Sequence, residues 1–370
     1  ELDRKDELVG RTEKLHAADS ENVPLAYFLA DIYRGADEID KAEALYAALV
    51  EKAPTVTGYR RLLAIYRRNA RADALLELLG RAAAKGVTAE SLGEEGRTLI
   101  GDAELVDKLI EMAQTRMAQA PDRLGHYDRL AMAHLALAAG RFEAANRFFD
   151  SAMEVVSEDQ KAETLLAWGL SLLDKEQYAT AARVFQQGID RKVLPDDNPV
   201  LHFYLSGALE LADRTEEALA AARAAARLDP DSPRFRTRVA GILYRNDRNQ
   251  EAAELYAKLI EQFDANFDSA EVRRVVREAR MVLSNLAVLA GDLPRAEAWL
   301  EDVLDEFPDD VAALNDLGYL WADRNVRLDR AERMVRRAVE GDPENLAYRD
   351  SLGWALYRLG RIEEALVELE

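Results

Sequence analysis

The chain has 370 residues, 49% apolar and 32% charged, and its 49 Lys+Arg against 69 Asp+Glu leave a formal charge of −20. That balance can bury a large core under a solvated surface, which excludes disorder along the whole chain. The acidic surplus speaks against nucleic acid as a partner. With no Cys and only four His, disulfides, thiolate nucleophiles, iron–sulfur clusters and Cys-zinc sites are excluded.

No apolar run reaches the ~18 residues of a membrane helix; the longest, Met281 to Leu289, is broken by Ser284 and Asn285. Direct membrane insertion is therefore not expected. The first residue is Glu1 rather than Met, and Glu370 falls inside a helical pattern, so both ends are expected to be cut from a longer chain. A removed export signal favours the bacterial envelope over the cytoplasm, with the compartment otherwise open.

Ala, Leu, Glu and Arg dominate, while Gly and Pro number only 19 and 10. These are helix formers, and alternating strand-like runs are nearly absent, so the fold class is all-α. In chain order, residues 1–22 are expected to be one helix left from a preceding repeat. Residues 23–83 hold two helix–turn–helix repeats, the first written by Ala30, Ala42, Tyr46, Leu49 and Pro54. Residues 84–121 read as a degenerate repeat. Its small-residue frame is lost, and Gly86, Gly93, Gly96 and Gly101 crowd one stretch. That stretch is either a hinge or binding loop, or a degenerate unit with longer turns.

Residues 122–370 carry seven further repeats, the last truncated. In each, a small residue is followed, usually twelve places on, by Ala, then a bulky residue four later, and often Pro. Ala133/Ala145/Phe149, Gly169/Ala181/Phe185, Ser206/Ala218/Ala222, Ala240/Ala252/Tyr256, Ser284/Ala296/Leu300, Gly318/Ala331/Val335 and Gly353/Ala365/Leu369 are the copies. From Ala145 to Ala365 the central Ala residues are 36, 37, 34, 44, 35 and 34 apart. The long interval predicts an extended helix from about Ser269 to Ala290. Small residues are needed where helix axes approach to ~8–10 Å. Pro ends the second helix of a unit because it lacks an N–H and clashes with the preceding turn.

This register resembles the tetratricopeptide repeat family over roughly Asn22 to Glu370. The segment from Asn315 to Glu370, NDLGYLWADRNVRLDRAERMVRRAVEGDPENLAYRDSLGWALYRLGRIEEALVELE, looks like two consecutive repeats of it. The resemblance implies a right-handed superhelical solenoid of about ten antiparallel helix pairs, with first helices lining a concave groove where peptides bind. It implies no catalytic activity. Its bacterial members are commonly scaffolds or adaptors.

Chemistry-bearing residues are few. His126 and His134 are eight apart, the wrong spacing for a zinc pair on one helix, and no Walker, dinucleotide or calcium motif is present. No catalytic, metal or cofactor site is expected. The repeat geometry of the family sends inward the residues three before, and one, four and five after, each first small residue. Phe203, Tyr244, Arg245, Met281, Asn285, Asn315, Tyr319, Asp323, Trp354, Tyr357 and Arg358 result. Aromatic rings there suit side chains of a peptide, and Asn285 and Asn315 suit its backbone. Arg234, Arg238 and Arg245 form a basic stripe suited to a carboxylate. Arg234 and Arg238 hold the slots where some family members clamp a C-terminal carboxylate. Leu166, Leu170 and Tyr204 replace the other clamp residues, so a full clamp is not expected.

The function expected is a non-enzymatic scaffold or adaptor that binds a partner peptide or protein in the groove. The alternative is a substrate-recruiting or regulatory repeat region of a larger enzyme or envelope complex. End-to-end self-association through the last, truncated repeat is a further possibility.

Overall fold

The computed structural model describes residues 2–369, with side chains from Glu7 onward. Glu1 and Glu370, the outer ends of the expected segments 1–22 and 122–370, lie outside the described residues. Among those described, the chain is helical with no strand. The helices are α1 (Leu2–Ala18), α2 (Val23–Gly35), α3 (Ile39–Lys52), α4 (Val56–Arg68), α5 (Ala72–Ala83), α6 (Gly93–Gly101), α7 (Ala103–Gln119), α8 (His126–Ala138), α9 (Phe142–Val155), α10 (Glu158–Asp174) and α11 (Tyr178–Asp190). They continue as α12 (Val200–Leu211), α13 (Thr215–Leu228), α14 (Pro233–Arg245), α15 (Asn249–Phe263), α16 (Ala270–Leu289), α17 (Leu293–Glu306), α18 (Val311–Asp323), α19 (Leu328–Gly341), α20 (Leu346–Arg358) and α21 (Ile362–Leu369). From α2 onward they run as ten successive pairs.

Two local rules generate most of this. Between the helices of a pair the backbone enters the left-handed region, at Asp37, Ala70, Gly140, Glu176, Asp213, Asp247, Gly291, Asn325 and Gly360, with Arg327 a second such residue between α18 and α19. The next N–H then donates back to the carbonyl five residues earlier, as in Arg141 to Ala136 (2.7 Å) and Asp292 to Ala287 (2.8 Å). This is a Schellman closure, which satisfies carbonyls that a helix end leaves free. At five of the nine junctions between pairs, the helix stops two residues before a proline. The capping residues Ala53, Ala120, Asp229, Phe307 and Asp342 all have φ between −122° and −150°, as the residue before Pro prefers.

Small residues sit where pairs close. A β-carbon on Gly318 in α18 would stand 2.6 Å from Cγ2 of Val335 and 2.9 Å from the Ala331 carbonyl in α19. Glycine is required by contact there, not by backbone angle.

The chain divides into two compact units, Glu1–Val184 and Phe185–Glu370, the boundary falling inside α11. In the first unit α5 packs directly on α8. The degenerate stretch accounts for this. A single 3-10 turn (Glu90–Leu92) leads into the nine-residue α6, and no left-handed residue separates α6 from α7. Asp102 instead ends one helix and caps the next, accepting from the Leu105 N–H. The stretch rejoins the stack at Arg129, 4% exposed. Its guanidinium donates to the carbonyls of Pro121, Leu124 and Ser151 at 2.9–3.0 Å. A buried cation is tolerated there because its donors are satisfied.

In the second unit α16 is the longest helix, capped by Ser269. Its extra turns are held by charge. Arg273 and Arg280 are 7% and 9% exposed. Both donate to Glu306 of α17, Arg280 also reaches the Asp264 carboxylate (2.7 Å), and Arg273 stacks on Phe267 (4.5 Å).

Arginine recurs at the start of second helices and ties pairs together. Arg71 reaches Glu43, and Arg141 reaches Asp107, in the first unit. Arg248 reaches Glu216, Arg327 reaches Glu297, and Arg361 reaches Glu332, in the second.

Candidate functional site

Two clefts open side by side in the second unit. The first, about 580 Å³, is lined by Phe203 of α12, by Arg234, Arg238 and Arg245 of α14, and by Glu271, Arg274, Arg277 and Glu278 of α16. The second, about 660 Å³, is lined by Tyr244, Asn285, Asn315, Asp316, Tyr319, Asp323 and Asp350, over a floor that includes Val288, Leu293, Leu300 and Leu320. Met281 and Val282 of α16 belong to both walls, so the clefts adjoin along the face of the first helices.

The expected residues therefore sort into two groups. Phe203, Arg234, Arg238 and Arg245 meet in the first cleft, and Tyr244, Asn285, Asn315 and Tyr319 in the second. Trp354 lines neither. It stacks on Tyr357 at 5.5 Å and packs against the core around Trp321.

The basic stripe is largely spoken for. Glu210 accepts from Arg238 (2.7 Å) and from Arg245 (2.8 Å), and Arg238 also donates to the Ser206 hydroxyl at 3.1 Å. Burial pulls the Arg238 guanidinium below its ordinary value, against the pull of Glu210. Arg277 pairs with Asp310, whose second oxygen it meets at 2.9 Å. Burial works to raise the Asp310 carboxyl, but Arg277 and the N–H groups at the start of α18 hold it below the usual range. Arg234 lies over the Phe203 ring at 4.1 Å and has no ion pair among the described residues. The sequence rule misses Arg274 and Arg277. It counts only three residues back from Ser284, whereas α16 continues two turns further. The signal is the spacing of Arg274, Arg277, Met281 and Asn285, which keeps one helical face.

The second cleft is acidic. Asp316, Asp323 and Asp350 line it with no Lys or Arg beside them. Asp350 stands three residues before Gly353, as Asn315 stands before Gly318, and that equivalence marks it. Asn285 is exposed, and its amide donates to the Tyr244 hydroxyl. Asn315 is 8% exposed. Its Nδ2 donates to Asp316 Oδ1 at 3.0 Å, and its own Oδ1 has no partner. Desolvation pushes the Asp316 carboxyl above its ordinary value, against the hydrogen bond from Asn315.

The histidines carry structure. His126 Nδ1 faces the Ala152 carbonyl at 3.3 Å, and His134 meets Phe149 edge-on. Among the described residues no group of three or more His, Asp or Glu is placed to hold a metal ion. None of their helices is long and apolar enough to cross a membrane.

Stacked helix pairs presenting side-chain clefts along one face define an α-helical repeat scaffold for protein interaction. The chain belongs to the tetratricopeptide repeat family, whose model matches residues 166–233, 212–267, 242–311, 281–331 and 322–370, more than half its length. It is 30% identical over 126 residues to a TPR repeat-containing protein of Pseudomonas aeruginosa. That match covers 34% of this chain and only 20% of the relative. Among solved structures it is similar to the pilF protein of Pseudomonas aeruginosa (14% identity, 57% of this chain, 90% of that one, TM-score 0.46). It is also similar to the type IV pilus biogenesis factor PilW (15% identity, 56% and 90% covered, TM-score 0.45).

Proposed function

We propose that the second unit binds an extended segment of a partner protein along the first-helix face, from Phe203 toward Tyr319, and catalyses nothing itself. The observation that supports this most is the pair of adjoining clefts that share Met281 and Val282. An extended chain carries free N–H and C=O groups at regular intervals, which the exposed Asn285 amide can meet. Tyr319, 43% exposed, supplies an apolar surface with a polar tip. Arg234 is the member of the basic stripe left to take a carboxylate, because Glu210 engages the other two. Trp354 stands at the far end of the same helix series and would contact only a longer segment.

The test is titration calorimetry with a partner captured from native lysate and then purified. Asn285→Ala, Tyr319→Ala and Arg234→Gln should each weaken binding about five- to thirty-fold, corresponding to roughly 1–2 kcal/mol for a hydrogen bond or contact left unmade. If all three bind like the wild type, the groove is not the site.

A further inference from the structure

A third cleft of the second unit, about 460 Å³, opens on the other side of α14 from the first. At 3.6 residues per turn, Arg236, Val239 and Leu243 fall on the helix face turned away from Arg234, Arg238 and Arg245. The cleft runs between the second helices α13 and α15, over a floor that includes Val239, Leu243 and Leu255. Four cations stand around it: Arg223 and Arg227 of α13, Arg236 of α14 and Lys258 of α15. None of the four has an ion pair among the described residues, in a chain whose formal charge is −20.

The cations gather at one end. Arg223 and Arg227 lie in the last two turns of α13, Lys258 comes late in α15, and Arg236 stands near the start of α14, which the chain enters from that same end. Arg236 is held there by its Nε, which donates to the Pro230 carbonyl at 2.7 Å. A helix favours a cation in its last turn, but only Arg227 of the four is so placed. The two acids of the lining sit at the opposite end, early in α15, and both are engaged. The oxygens of Glu251 accept from Arg248 at 2.7 and 2.8 Å, and Glu254 accepts from the Gln250 amide at 3.4 Å. Arg223 is close enough to help hold the Glu251 carboxyl below its usual range, yet makes no ion pair with it.

An apolar floor with cations at one end specifies an occupant. Guanidinium forks take carboxylates two bonds at a time. A nucleic acid or an anionic bilayer would reach far beyond the cleft and meet the acidic remainder of the surface. From Glu251 to Leu259 the cleft follows α15 for about 12 Å, which matches about two turns of a helix laid in a groove between helices. We propose that the outer face of the second unit carries a docking site for an amphipathic, acidic helix of a partner protein. Its Asp or Glu side chains meet Arg223, Arg227, Arg236 and Lys258, and its apolar stripe lies on Val239, Leu243 and Leu255. The site is separate from the groove proposed above, because the two use opposite faces of α14, and either can stand without the other.

The test uses three fluorescein-labelled, amide-capped peptides of about 18 residues, patterned as amphipathic helices. The first carries Leu on one face and Glu on the other, the second Leu and Gln, the third Ser and Glu. Binding is read by fluorescence anisotropy at about 0.15 M salt, where distant charges are screened. An Arg223→Gln/Arg227→Gln/Lys258→Gln variant is compared with an Arg147→Gln/Arg183→Gln/Arg333→Gln variant of equal charge, whose three positions are exposed on the second helices α9, α11 and α19. Arg236 stays in place because it holds the Pro230 carbonyl. The Leu–Glu peptide should bind the wild type and the control variant at least about five-fold tighter than either other peptide does. To the cleft variant it should bind no tighter than the Leu–Gln peptide. Equal binding of the Leu–Glu and Leu–Gln peptides to the wild type, or binding by neither, would overturn the proposal. So would a preference for Glu that survives in the cleft variant or is lost in the control. Ser–Glu binding as tight as Leu–Glu would also overturn it, since charge alone would then suffice. Sedimentation with phosphatidylcholine vesicles containing about one-third phosphatidylglycerol addresses the other occupant. Wild-type binding to them that the cleft variant loses would make this a lipid contact and sink the helix site.

Discussion

A β-carbon added to Gly80 of α5 would stand 1.7 Å from Oδ1 of Asp128 in α8. Asp128 cannot simply swing away, because its Oδ2 accepts from the Gly125 N–H at 2.9 Å, where α8 begins. The contact exists because α5 packs on α8 across the degenerate stretch. Gly80→Ala should therefore destabilise the first unit by about 1–3 kcal/mol, the usual range for overpacking. Asp128→Ala added to it should restore the steric part, so the two losses should not add. Urea unfolding of both single variants and the double measures this. Full additivity would refute the contact.

The left-handed turn residues make a paired prediction. Gly291 (φ 75°) and Ala70 (φ 49°) occupy equivalent places. A left-handed conformation costs an L-residue about 1–2 kcal/mol. Gly291→Ala should cost about 1 kcal/mol. Ala70→Gly should gain somewhat less, because glycine also loosens the unfolded chain. Denaturant midpoints of opposite sign are the expected result.

Acid should undo the α16 anchor. Hydrogen bonding from Arg273, then Arg280, holds the Glu306 carboxyl below its usual range. An unfolded Glu titrates near ~4.3, so below that pH the unfolded chain takes up protons that the folded one resists. The contribution is complete above about pH 4.3 and disappears as pH falls through the lower folded value. Glu306→Gln should flatten the acid limb of a stability–pH curve for the second unit, and should lower its plateau by about 1–3 kcal/mol, because Asp264 still faces both arginines. An unchanged acid limb would exclude Glu306 as its source.

Arg238→Glu and Arg234→Glu should part company. The first would set a carboxylate against Glu210 and beside the Ser206 hydroxyl, and should loosen α12 and α14 in hydrogen exchange before any ligand is added. The second removes a ring contact with Phe203 from an exposed side chain and should leave exchange unchanged while reducing affinity. If Arg238→Glu exchanges like the wild type, its ion pair does not support the fold.

Much of this architecture is legible in the residues alone, because its causes are local. Helices stop before Pro54, Pro121, Pro230, Pro308 and Pro343 for steric reasons confined to three residues. Gly318 announces a close approach to the helix that follows it. The 44-residue interval between Ala252 and Ala296 announces the length of α16. What escapes is set by distance along the chain. Nothing near Gly80 tells that its neighbour is Asp128, since the intervening segment could have stacked in register. The Arg238 and Arg245 stripe reads as free charge until Glu210, 28 and 35 residues earlier, is placed between them. The acidic cleft escapes for a related reason. Asp316 is unremarkable in a chain with 69 acids, and Asp350 is marked only by standing three residues before Gly353, the place Asn315 holds before Gly318.

The arginines at the starts of the second helices bear on how the molecule comes apart. Each link from Arg71, Arg141, Arg248, Arg327 or Arg361 crosses from one pair to the pair before it. Stability in a repeat array is a sum over units and over the junctions between neighbours, and the junctions decide whether units melt together. An exposed ion pair contributes only about 0–1 kcal/mol, yet every one of these sits on a junction. Salt screens such pairs while leaving the apolar cores of the units intact. Raising ionic strength should therefore broaden the melting transition more than it lowers its midpoint, as neighbouring pairs begin to unfold on their own.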